Sequence, residues 1–383
     1  MTTLPDGRYV DDRPYAPEDE SEVRNPDLDA PNWLLIWRRF RSHRLALLAG
    51  IFLLLSYVLL PFAGFIAPYT ASERHADHLY APPQMVHFFH EGRFIGPHVI
   101  PLTAEADLEN FRWTYIPDRD NPAPLKFFCE GGEYRLAGLI PTDRHLVCAP
   151  EGATLFLLGS DRLGRDVFSR ILYGAQLSLT VGLVGITVSF AIGIVLGSIA
   201  GYFGGFADWS INRVIEILRS LPELPLWLAL SAAVPSHWGP VAVFFIISII
   251  LGILDWPGLA RAVRSKFLSL REEEFVRAAE MMGAGPRRVI GRHLLPNFLS
   301  HLIASATLSI PAMILGETAL SFLGLGLRAP AVSWGVMLND AQNLASIEIY
   351  PWTAIPMLPI VIVVLAFNFL GDGLRDALDP NRP

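Results

Sequence analysis

Only two of the 30 basic residues are lysines, Lys126 and Lys266. A phosphate-cradling loop needs Gly-Lys-Ser/Thr, because its lysine reaches the β- and γ-phosphates. Neither lysine follows a glycine, so the chain cannot hydrolyse ATP with such a loop. His-Glu-x-x-His, a Gly-x-Ser-x-Gly elbow and a strand-borne Gly-x-Gly-x-x-Gly are missing too. The pairs Gly283/Gly285 and Gly324/Gly326 read as turns rather than cofactor boxes. Six of the ten histidines fall in one segment: His75, His78, His87, His90, His98 and His145. His75/His78 and His87/His90 have spacings that a metal could use. No cysteine or carboxylate completes a familiar ligand set, so aromatic or hydrogen-bonding histidines are the favoured reading. Cys129 and Cys148 are the two cysteines. They exclude a four-cysteine zinc site and a disulfide-dense scaffold. No enzyme constellation emerges.

These residues must be carried by unusually apolar elements. Of 383 residues, 52% are apolar and 17% charged, where soluble domains average about 25% charged. Mean hydropathy is +0.38. The pattern is that of an all-α polytopic membrane protein. The net charge of −7 argues against nucleic-acid binding by a basic face.

Residues 1–32 read as a disordered acidic tail. The arginines Arg38, Arg39, Arg41 and Arg44 precede a charge-free run, Leu45–Ala67. At 1.5 Å per residue it covers roughly 34 Å, enough for a bilayer core of about 30 Å. Five further spans are expected: Leu177–Ala200, about 211–234, Trp238 to about Ala260, Phe298 to about Leu320, and Trp352–Leu370. The third carries Arg213, Glu216, Arg219 and Glu223. The stretch 261–297 holds eight of the basic residues, whereas 235–237 has none and 321–351 only Arg328. The positive-inside bias then makes the chain's two ends and the 261–297 loop cytoplasmic. Gly193, Gly197 and Gly201 share one helical face. They suit close packing within the bundle, with a homodimer contact as the alternative. Glu317, Asp255 and Asp372 lie near span ends and read as structural.

Residues 68–157 are too polar to span and too long for a connector. They read as a small extracytoplasmic insert of strands and turns. An oxidising compartment on that side favours a Cys129–Cys148 disulfide over two unrelated thiols. Residues 158–176 read as an amphipathic interfacial helix capped by Ser160 or Asp161.

The stretch 269–297 reads as two helices around a glycine turn. Phe275, Ala278, Ala279 and Met282 form a small apolar face, and Glu272, Glu273 and Glu274 sit where the helix dipole favours anions. Gly283 is the expected left-handed cap and Pro286 opens the next helix. An exposed apolar face here asks for a partner.

Ala278, Ala279, Gly283, Leu295 and Pro296 resemble the EAA loop of ABC-importer permeases, with Arg277 and His293 as departures. Arg292–Asn297, 158–179, 316–338 and 371–380 resemble the dipeptide/oligopeptide/nickel branch. The likeness covers about 35–67 and 155–383. It implies a type I ABC importer permease fold with six transmembrane helices, a core over 177–375 and a short cytoplasmic tail, 376–383. It also implies a homologous second permease subunit, two ATP-binding subunits and an extracytoplasmic solute-binding protein. ATP and Mg would be held by the partners, with no cofactor on this chain. The coupling helix would be 272–283, with Glu273, Phe275, Arg277, Ala278, Ala279, Met282 and Gly283 at the ATPase groove. Solutes of this branch are usually peptides, sometimes nickel or oligosaccharides. An ion-coupled secondary transporter is the competing class. It needs mid-membrane carboxylates and inverted repeats, and neither is evident.

Overall fold

The computed structural model describes residues 2–3, 9–10, 32–107, 112–235 and 237–378. Of the tail expected over 1–32, only residues 2–3, 9–10 and 32 are among the described residues, and the end of the tail expected over 376–383 lies outside them. Thr2–Thr3 (β1) and Tyr9–Val10 (β2) form an antiparallel pair. Helix α1, Asn32–Ser42, precedes α2, Arg44–Leu59. A 3₁₀ turn at Leu60–Phe62 and a short α3, Ala63–Ile66, extend α2 into one apolar helix, Arg44–Ile66.

The chain then forms paired strands. β3 (His87–His90), β4 (Arg93–Val99) and β7 (Ala123–Pro124) make one small sheet. β5 (Leu102–Asp107) pairs with β6 (Arg112–Pro117), and β8 (Lys126–Leu136) with β9 (Ile140–Cys148). Gly92 and Gly138 take positive φ in the β3–β4 and β8–β9 turns.

The rest is helical: α4 (Val167–Phe203), α5 (Gly205–Ser220), α6 (Glu223–Ala232), α7 (Pro240–Leu270), α8 (Glu274–Met281), α9 (Pro286–Arg288), α10 (Leu295–Phe322), α11 (Trp334–Asp340), α12 (Leu344–Ile349) and α13 (Met357–Leu378). Among the described residues, five stretches are long and apolar enough to cross a membrane: Arg44–Ile66, Val167–Phe203, Pro240–Leu270, Pro286–Phe322 and Pro351–Leu378.

The interfacial helix expected over 158–176 is not a separate element. Asp166 is the cap, accepting from Ser169 N at 2.7 Å, and the helix runs unbroken from Val167 into the span. Asp161 instead organises the turn before it, accepting from Leu163 N and Arg165 N at 2.9 and 3.0 Å. The span expected over 211–234 is not one continuous helix. Pro222 has no N–H and pushes its predecessor out of the helical region, and Leu221 is extended at φ −92, ψ 137. The apolar piece beyond it, α6, has ten residues, about 15 Å of helix and half a bilayer core.

Glycines set the tightest helix contact. Gly185 meets Ser248, Gly193 meets Leu259, Gly197 meets Ala260 and Val263, and Gly201 meets Phe267. A Cβ at Gly197 would stand 2.6 Å from the Ala260 carbonyl oxygen, so this face is spent within the chain. The pairs ascend together in number, so α4 and α7 run parallel. The segment between them must therefore return the length of the bundle, and α5 and α6 make that return.

Candidate functional site

The loop between α7 and α10 builds a short helix on a fixed seat. Extended Glu273 (φ −69, ψ 146) starts α8, its carbonyl accepting from Val276 N and Arg277 N at 3.1 and 3.2 Å. Val276 and Ala279 are buried, and Val276 shares a cluster with Phe267, Val289, Leu294 and Phe298. The Tyr202 hydroxyl at the end of α4 donates to Glu280 at 2.9 Å. Ala284 N donates to Ala279 O at 3.0 Å and Gly283 N to Glu280 O at 2.9 Å, with Gly283 at φ +84. These two bonds and the left-handed residue satisfy the helix's last carbonyls as a Schellman motif.

The opposite face of α8 is open. Phe275 is 42% exposed, Met281 84% and Met282 82%, with half-buried Ala278 among them. From sequence, Ala279 is expected on this face. The structure turns it inward, because Val276, not Phe275, marks the buried side. Arg277 lies on the surface and pairs with Glu272 at 2.6 Å. That guanidinium holds the Glu272 carboxyl below its ordinary range, through the hydrogen bond first and the charge second. Beyond Gly283, Val289–Leu294 widen into a π-helical turn just before Pro296. The proline ring would otherwise collide with the carbonyl four residues back, Arg292 O.

The other end of the bundle holds an ion cluster that the sequence reading missed. Arg165 Nε donates to Asp161 Oδ2 at 2.7 Å and Arg165 to Asp340 Oδ2 at 2.8 Å. Arg170, 2% exposed, bonds Asp161 and also Asp340 at 3.1 Å. Arg162 adds a contact to Asp340 Oδ1 at 3.2 Å. Burial alone would raise the Asp340 carboxyl, but Arg170 and Arg165 outweigh it and hold it below its ordinary range. The signal in sequence was Asp161, Arg162, Arg165 and Arg170 close together. Their partner Asp340 is far along the chain, and helical periodicity gave no hint of it.

A second network holds the start of α11. Ser321 and Ser333 donate to fully buried Glu317 at 2.7 and 2.8 Å. Ser333 caps α11 by accepting from Val336 N at 3.2 Å, and Ser178 accepts from Trp334 N at 3.1 Å. Together, Glu317 and the ion cluster tie both ends of α11 to α4 and α10. Asp255 lies 3.4 Å from Ser189, beside a polar cavity of about 260 Å³ lined by Arg219, Ser305 and Ser309. A larger apolar hollow of about 710 Å³ opens between Leu224, Trp227, Leu315, Phe322, Leu338 and Met357.

Cys129 and Cys148 are joined in a disulfide at the open end of the β8–β9 ribbon. The histidines are absorbed locally. His75 packs on Tyr69 and Phe156, His78 lies 3.2 Å from Leu102 O, and His87 and His90 pack on His98. Among the described residues no three His, Cys, Asp or Glu side chains are grouped to hold a metal. The arrangement positions helices and offers surfaces.

Comparison with known proteins agrees with that description. Residues 193–382 match the family model of the binding-protein-dependent transport system inner membrane component. Residues 32–83 match the N-terminal TM domain of oligopeptide transport permease C. The dipeptide transport system permease protein DppC of Alkalihalophilus pseudofirmus is 46% identical over 58% of this chain and 71% of that protein. The oligopeptide permease OppC of Haemophilus influenzae is 41% identical over 61% and 72%. The glutathione permease GsiD of Pectobacterium atrosepticum is 32% identical over 94% of both chains. Among solved structures, the inward-facing MetNI methionine ABC transporter is 20% identical over 55% of this chain and 96% of that one, with a TM-score of 0.41. This chain belongs to the binding-protein-dependent transport system inner membrane components, as a multi-pass ABC permease subunit.

Proposed function

We propose that the chain forms half of the pathway of an ATP-driven importer for a peptide-like solute, delivered by an extracytoplasmic binding protein. A homologous second permease completes the pathway, and two ATP-binding subunits hold the ATP and Mg. The carrying observation is α8. Val276 seats the helix against α7 and α10, with Ala279 buried beside it, while Phe275, Ala278 and Met282 face outward beside Met281. Exposed apolar side chains on a rigid support fit an ATPase groove, and Glu273, Arg277 and the Gly283 turn frame them. Movement of the groove is passed to the spans through Phe267, Leu294 and Phe298, without covalent chemistry on this chain.

The α5–α6 return supports a sixth passage made by a broken helix, which puts the two ends of the chain on one side, the cytoplasmic one by the arginine bias. The peptide-like solute rests on the dipeptide, oligopeptide and glutathione permeases among the relatives. Co-purification tests the assembly. The tagged chain, expressed from its native locus, should recover a second permease and ATPases. Recovery of neither in mild detergent would leave α8 a mere connector.

A further inference from the structure

The β8–β9 ribbon lies along the last turns of the first span. His145 Nδ1 is 2.6 Å from Ala67 O. The Tyr134 ring covers Gly64 so closely that a Cβ there would overlap it. Ala137 N, at the turn, donates to Pro61 O at 3.1 Å. The ribbon therefore descends the span toward the bundle as it runs to its tip. Six residue steps separate Ala67 from Pro61, a rise of about 9 Å at helical pitch. The tip sits that far inside the charge-free run 45–67.

At this depth the turn presents Leu139, 82% exposed, and Ile140, 62% exposed. Neighbouring Leu59 and Phe62 on the span are exposed as well, as are Leu54, Leu55 and Val58 below them. Phe128, also exposed, lies 6.1 Å from Phe65. The ribbon thus continues the apolar face that the first span turns to lipid.

The backbone fits the same surroundings. Lipid offers no hydrogen-bond partners, so any chain entering it must satisfy its own amides. At the tip, Ala137 N bonds Pro61 O, Gly138 N bonds Arg135 O at 3.1 Å and Leu139 N bonds Leu136 O at 3.0 Å. Glu133 and Arg135, farther up the ribbon, are exposed at the level suited to headgroups.

We propose that the β8–β9 tip is a lipid anchor. Leu139 and Ile140 enter the acyl boundary of the leaflet on the insert side, at the depth of about 5–10 Å typical of interfacial apolar groups. The anchor holds the ribbon, and the disulfide at its far end, against the first span.

The test uses the full chain in phosphatidylcholine nanodiscs. The native cysteines are engaged with each other, so Leu139→Cys provides a single thiol for a bimane label. Asn121→Cys, in an exposed polar turn, is the reference. The label at 139 should be quenched several-fold less by iodide than the label at 121, and strongly by lipid carrying a doxyl group at the acyl 5-position. Equal iodide quenching at the two sites would overturn the proposal. Protection at 139 from both quenchers would overturn it as well, because a protein surface would then be covering the tip.

Discussion

At the residue scale, single positions set the geometry on which the larger surfaces depend. Gly283 needs its left-handed φ of +84, yet no heavy atom lies within 4 Å of a Cβ placed there. Gly283→Val would therefore be strained by the backbone alone, by about 1–2 kcal/mol or more. The expected outcome is a properly inserted chain with reduced ATPase recovery and reduced uptake, read by co-purification and transport. Glycine before a proline-led helix made this position legible in sequence. Asp340 was not legible. Its partners are Arg162, Arg165 and Arg170, and no local pattern joins residues some 170 positions apart. Asp340→Asn leaves Arg170 with Asp161 alone, so the loss should lie toward the lower end of the roughly 3–5 kcal/mol for a broken buried pair. The pH dependence follows from the lowered carboxyl pKa. Such a group contributes stability that is present above its unfolded value, near 3.9, and lost as pH falls through the lower folded value. Thermal scans in detergent should show wild type losing stability below about pH 4, with a flatter acid limb in Asp340→Asn.

At the scale of elements, α8 has two faces that one substitution each can separate. Met282→Glu changes a side chain that is 82% exposed, so the isolated chain should keep its thermal midpoint while ATPase recovery falls. Ala279→Glu puts a carboxylate at a position that is only 3% exposed. It should lower the midpoint by several degrees and lose coupling only as a consequence, because an unpaired buried charge is strongly destabilising. Equal midpoints for the two variants would contradict the seating described above. The sequence located the helix and its cap, but not which edge of the stripe Phe275–Ala278–Ala279–Met282 turned inward. Small apolar residues suit either side, and the deciding neighbours lie on α7 and α10. The broken apolar stretch over 211–234 illustrates the opposite case. Its signal, Pro222, was visible, but the strength of the surrounding apolar run obscured it. On the β8–β9 ribbon, a disulfide closing a loop of about 20 residues is worth roughly 3 kcal/mol in the chain-entropy model. Replacing both cysteines by serine should lower stability by that order, and non-reducing peptide mapping of the parent should recover the linked pair.

At the scale of the whole molecule, the chain is built to be incomplete. In the first span only 17% of the most apolar window is buried within the chain, and the other four reach no more than 39%. The remainder meets lipid or another subunit. Sequence cannot divide the two, because a leucine facing an acyl chain and one facing a partner look alike. The 710 Å³ apolar hollow between Trp227, Leu315 and Met357 is one such uncovered surface, whereas the exposed face of the first span continues into the ribbon tip. The purified chain should show no nucleotide turnover, since Lys126 and Lys266 stand in no phosphate-binding loop. Reconstituted with its second permease, ATPases and binding protein, it should support uptake that vanadate abolishes and an ionophore leaves intact. The reverse pattern would place the driving force in an ion gradient. That gradient would then need a carboxylate free to load and unload a cation, and Glu317, held by Ser321 and Ser333 at 2.7 and 2.8 Å, is poorly placed to be one.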